Sequence, residues 1–69
     1  MVRARELIAL HEARGFVRVR QSGSHVVLRH ADGRRVTVPF HGGQDVRRGL
    51  LAKILQDAGL TIEDLTERG

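Results

Sequence analysis

The stretch Arg20-Gln21-Ser22-Gly23-Ser24-His25-Val26-Val27-Leu28-Arg29-His30-Ala31-Asp32-Gly33-Arg34-Arg35-Val36-Thr37-Val38-Pro39 decides the fold of this chain. It holds two turn signals, Ser22-Gly23-Ser24 and Ala31-Asp32-Gly33, with short β-branched runs beside them. Such runs, bounded by Gly/Ser and Asp-Gly clusters, read as strands joined by hairpins. The spacing predicts strands over residues 16–21, 25–30 and 34–39. Pro39 suits a strand end, because it has no N–H to give to a ladder.

On the N-terminal side, residues 3–14 read as a helix. A helical wheel puts Ala4, Leu7, Ile8, Leu10 and His11 on one face and Arg5, Glu6, Ala9 and Glu12 on the other, with Gly15 as the stop. Beyond Pro39, residues 40–45 form a Gly-containing loop. Residues 46–58 then read as a second helix with Leu50, Leu51, Ile54, Leu55 and Ala58 on one face, ended by Gly59. Thr61 in Thr61-Ile62-Glu63-Asp64 reads as the N-cap of one last short helix. The order α-β-β-β-α predicts a single α+β domain over residues 1–69, a three-stranded antiparallel sheet with both helices on one face.

Strand alternation predicts which side chains share a face. Val26 and Leu28 oppose His25, Val27 and Arg29; Val36 and Val38 oppose Arg35 and Thr37. In the first strand, Val17 and Val19 are expected on the core side and Phe16, Arg18 and Arg20 on the other. His25 is thus expected on the open face with Arg18, Arg20, Arg29 and Arg35. A one-residue register slip would overturn that placement.

Composition narrows the chemistry. The 69 residues contain no cysteine, which excludes disulfides, zinc-thiolate sites and thiol nucleophiles. A chain this short buries only about 60% of its unfolded surface, so a shallow surface site is expected rather than a deep cofactor pocket. No apolar run approaches the roughly 20 residues of a membrane span, and no signal-peptide pattern opens the chain. A soluble, cytoplasmic protein without a membrane partner is expected. Phe16 and Phe40 are the only aromatic residues other than histidine, so the stacking platforms of many single-strand binders are missing. Residues 14–48 carry eight arginines against Asp32 and Asp45, a balance of +6, whereas residues 49–69 balance at −2. A basic middle fits a polyanion partner, or equally a solvated arginine-rich surface.

The four histidines differ in setting. His11 sits on the apolar face of the first helix and reads as a packed structural residue. His30 ends a strand beside a turn and reads as solvated, while His41 lies in the Gly-rich loop, where placement near a ligand is open. No histidine pair has metal-ligand spacing, no nucleophile elbow is present, and Gly42-Gly43 lacks the context of a phosphate-binding loop, so neither metal nor cofactor is expected. His25 follows a Gly/Ser turn whose N–H groups and hydroxyls could cradle a phosphate. Histidine exchanges protons near neutral pH and arginine grips phosphate, so two readings stay open here: metal-free acid–base cleavage of RNA, or a plain binding surface.

The ordered set of short motifs resembles the HicA-type toxins, the mRNA interferase half of a toxin–antitoxin pair. It comprises Arg5-Glu6-Leu7-Ile8, Gly15-Phe16, Arg20-Gln21-Ser22-Gly23-Ser24-His25, Asp32-Gly33-Arg34, Val38-Pro39 with His41, Gly49-Leu50-Leu51-Ala52-Lys53-Ile54-Leu55 and Ala58-Gly59-Leu60. The resemblance implies a double-stranded-RNA-binding-like α-β-β-β-α fold and cleavage of mRNA through one catalytic histidine, which maps onto His25. It also implies a HicB-type antitoxin that covers the active face. On the reading that results, Arg20 with Arg18, Arg29 or Arg35 would supply phosphate contacts, Gln21, Ser22 and Ser24 would orient RNA, and Lys53 would add a contact from the second helix. Helix two opens Gly49-Leu50-Leu51-Ala52 where the family usually reads Gly-Thr-Leu-Arg. The rival readings are an RNA-binding module without catalysis and a protein-interaction domain for an acidic partner.

Overall fold

A computed structural model describes residues 2–40 and 45–68. The elements run α1 (Ala4–Ala13), β1 (Phe16–Ser22), β2 (His25–His30), β3 (Arg35–Pro39), α2 (Arg48–Ala58) and α3 (Ile62–Arg68). The strands form an antiparallel meander in the order β1-β2-β3. The predicted α+β architecture is therefore present, with element ends within two residues of expectation.

The helices form where their apolar residues fall at three- and four-residue spacing. In α1, Ala4, Leu7, Ile8, Leu10 and His11 are all buried; in α2, Leu51, Ile54, Leu55 and Ala58 are. These side chains meet Phe16, Val26, Leu28, Val36 and Val38 in one core, so both helices cover the same face of the sheet. Glu6 Oε1 accepts the Arg3 N–H at 3.3 Å at the start of α1. Gly59, at φ +71°, ends α2 in the left-handed conformation that glycine adopts without cost. Thr61 caps α3 reciprocally: its N–H donates to Asp64 Oδ2 at 2.8 Å and its Oγ1 accepts the Asp64 N–H at 3.3 Å.

One expectation is overturned in β1. Phe16 is 2% exposed whereas Val17 and Val19 are 62% and 52% exposed, so the valines do not face the core. The register explains the reversal. Phe16 pairs with His30, Val17 with Arg29 and Arg18 with Leu28, but the next pair is Arg20 with Val27, leaving Val19 as the extra residue of a β-bulge. Residues before the bulge therefore sit one step out of phase with those after it. The large ring of Phe16 takes the core position, where it removes more apolar area from water than a valine would.

The β2–β3 hairpin is fastened to the end of α2. Arg34 donates to the Ala58 carbonyl, holds Asp32 Oδ2 at 2.8 Å, and lies 5.1 Å from the centre of the Phe16 ring. His30 packs edge-on to the other side of this cluster, its ring 5.2 Å from that of Phe16 and its Nδ1 3.0 Å from Asp32 Oδ1. It is a half-buried packing residue, not the solvated strand end expected.

Candidate functional site

The uncovered face of the sheet is built in rows, because residues directly opposite on antiparallel strands share a side. The first row is Ser22, His25 and Pro39; the second is Arg20, Val27 and Thr37; the third is Val17, Arg29 and Arg35. Successive rows are two residues apart along β2, about 6–7 Å. His25 stands at the beginning of β2, just past the turn, and is exposed. Gly23 provides that turn with φ +57°, a conformation side-chain-bearing residues rarely adopt. The bulge at Val19 brings Arg20 onto this face, diagonal to His25 and within reach of a long side chain.

The sequence-predicted residues divide accordingly. Arg20, Ser22, His25, Arg29 and Arg35 share the open face. Arg18 does not join them: it pairs with Leu28 on the helix side and its guanidinium lies 3.7 Å from Glu12 of α1. Gln21 pairs with Val26, also on the helix side of the ladder. Ser24 lies in the turn, half-buried, and its carbonyl accepts the Phe40 N–H. Lys53 is on α2 across the outer edge of β3, 3.3 Å from Asp57, and with Arg35, Thr37, Leu50 and Ile54 lines a shallow groove of about 330 Å³. His41 and Gly42-Gly43 fall outside the described residues. Thr37 was not singled out from the sequence as a site residue. Its alternation with Val36 and Val38 was the available signal, and the register sets it diagonal to His25.

Charge is distributed unequally around the sheet. None of the three strands contains a carboxylate. Arg14 pairs with Asp64 at 3.0 Å, Arg18 with Glu12, Arg34 with Asp32 and Lys53 with Asp57. Among the described residues Arg20, Arg29 and Arg35 have no acidic partner, so the open face carries uncompensated positive charge. Thr61 and Arg14 hold the Asp64 carboxyl below the usual range, and Arg34 with His30 does the same for Asp32, so these acids stay ionised away from the face.

His11 is a different kind of histidine. It is fully buried, edge-on to Phe16 at 5.1 Å, and its Nδ1–H donates to the Leu7 carbonyl at 2.7 Å. Its Nε2 has no partner among the described residues. Burial pushes its pKa down, against a smaller opposing pull from the Leu7 hydrogen bond. Among the described residues no three His, Asp or Glu side chains converge as a metal site would require. No described helix is long and apolar enough to cross a membrane.

An exposed imidazole beside a guanidinium can exchange a proton with a ligand whose negative charge the guanidinium holds. Comparison with curated proteins gave no match. The family model described as the HicA toxin of bacterial toxin–antitoxin systems matches residues 4–60, from the start of α1 to just beyond α2. That match takes in the whole sheet, its exposed histidine and both long helices, and so the chain belongs to the HicA toxin family of bacterial toxin–antitoxin systems.

Proposed function

We propose that this toxin is a metal-independent endoribonuclease that cleaves mRNA in the cytoplasm, with His25 as its catalytic residue. The observation that carries the reading is the exposed His25 beside Arg20 on a sheet face without carboxylates. In the reaction the ribose 2′-oxygen attacks the adjacent phosphorus and the bond to the 5′-oxygen breaks. The 2′-hydroxyl proton leaves and a proton reaches the departing 5′-oxygen. The products are a 2′,3′-cyclic phosphate and a 5′-hydroxyl. His25 transfers a proton in one of these steps, and Arg20 stabilises the extra negative charge on the pentacoordinate phosphorus. Ser22, directly opposite His25, orients the sugar–phosphate backbone. DNA lacks the attacking hydroxyl and is not a substrate.

The partner is a HicB-type antitoxin that covers this same face. Exposed Val17 and Val19 next to unpaired arginines support a protein surface of apolar and acidic side chains there.

Purified wild type and His25→Ala, assayed on RNA and on DNA of the same sequence in EDTA, test the proposal. The wild type is expected to cut RNA alone and to leave cyclic phosphate ends. His25→Ala is expected to lose about 10²–10⁴-fold in rate with unchanged thermal stability. Near-wild-type cleavage by the variant overturns the assignment of His25. Salt-sensitive RNA binding without cleavage by the wild type would mark a non-catalytic RNA-binding module instead.

A further inference from the structure

Arg29 and Arg35 are directly opposed across β2 and β3, both exposed, with Val17 on the other side of Arg29. Like charges in this position repel, since cross-strand partners stand only about 4.5–5.5 Å apart at Cα. Neither has an acidic partner among the described residues, although Arg14, Arg18 and Arg34 each have one. The pair is also remote from the proposed catalytic group. Arg29 lies four positions along β2 from His25, about 13 Å, with the Val27 row between them.

We propose that Arg29 and Arg35 form a second phosphate subsite, which grips a phosphodiester of the RNA strand other than the one being cut. An anion between the two guanidinium groups cancels their repulsion and accepts hydrogen bonds from both. Val17, 62% exposed, gives the intervening nucleotides an apolar contact, while Arg20 stays with the scissile phosphate. Across 13 Å a strand stacked at about 3.4 Å per nucleotide places the gripped phosphate roughly four linkages from the cut, and an extended strand fewer. The substrate is then a single strand several nucleotides long, and dinucleotides are poor substrates. This inference rests on the RNA reading above but not on the role of His25.

The test uses the Arg29→Gln/Arg35→Gln double variant and short RNAs whose cut site has been mapped. One neutral methylphosphonate linkage is introduced at a time on either side of the cut. For the double variant KM is expected to rise about tenfold or more while kcat changes much less. Its binding of 2′-O-methyl RNA, which cannot be cut, should show a salt slope smaller by roughly 1–2. A neutral linkage at one distant position should weaken the wild type and leave the double variant indifferent. Removing the opposed charges should raise the melting temperature by about 1–4 °C, which also shows that the variant folds. A loss confined to kcat, no change in KM, or indifference of the wild type to every distant neutral linkage overturns the proposal. If the wild type cuts no RNA yet its binding of 2′-O-methyl RNA depends on the two arginines, the subsite stands and the endoribonuclease reading falls. If cleavage proceeds unaltered in the double variant, the reverse holds.

Discussion

The two faces of the sheet are made from the same three strands, yet they treat charge in opposite ways. On the helix side Arg18 lies beside Glu12, and close to it Arg34 holds Asp32 and the Ala58 carbonyl and Arg14 holds Asp64. On the open side Arg20, Arg29 and Arg35 have no such partner among the described residues. Folding alone would favour the first arrangement everywhere, because unpaired like charges on neighbouring strands destabilise. The second is what a surface that binds an anion would show. The contrast sets apart the face on which the proposed site lies.

The largest test of this division concerns Phe16. Phe16→Ala should cost about 3–5 kcal/mol in urea unfolding, comparable with the whole stability of a domain of this size, roughly 3–10 kcal/mol. A smaller loss follows for Arg34→Ala, about 1–3 kcal/mol, because the Ala58 carbonyl loses its donor and the hairpin its tie to α2. Acid should weaken the helix-covered side through His11. Its folded-state pKa is depressed below the ordinary 6.5 by burial, so the unfolded chain binds this proton more readily. Stability therefore falls as pH drops below about 6.5 and stops falling on this account once pH is below the depressed value. His11→Leu should flatten that part of the profile in thermal melts at successive pH values. Asp32 and Asp64, both depressed, contribute a loss of the same sign only below their ordinary 3.8. The smallest effect belongs to Val17→Ala, within about 0.5 kcal/mol. If Val17→Ala proves more damaging than Phe16→Ala, the two faces of β1 have been exchanged.

Periodicity reveals the elements whose rhythm is uninterrupted. The buried faces of α1 and α2 follow from residue spacing, although Leu50, grouped with the α2 core, is 39% exposed. In β2 and β3 the alternation separates Val26, Leu28, Val36 and Val38 from His25, Arg29, Arg35 and Thr37, and the register agrees. In β1 the pattern Phe-Val-Arg-Val-Arg supports either phase, and the bulge uses both. Nothing in the local spacing distinguishes Arg18 from Arg20, because their difference arises from pairing with β2 and from Glu12 on α1. His30 escaped for a related reason: its neighbours Phe16 and Asp32 reach it through the fold and the turn. The close approach of Gly15 belongs with them. A Cβ there would lie 2.9 Å from His30 Nε2, and the glycine adopts φ +93°. It is therefore more than a helix terminator, since it also makes room for the packed imidazole.

The extra residue at Val19 has a consequence for anyone altering this strand. Arg18 and Arg20 are both even-numbered, yet one lies on the helix side beside Glu12 and the other faces the uncovered side. Parity cannot be carried through β1. A library that randomises alternate positions from Phe16 to Ser22 would vary core packing at one end and the open face at the other. A regular strand that kept Val19 in the ladder could bury Phe16 or present Arg20 on the open face, but not both, whereas deleting Val19 would leave both placements intact.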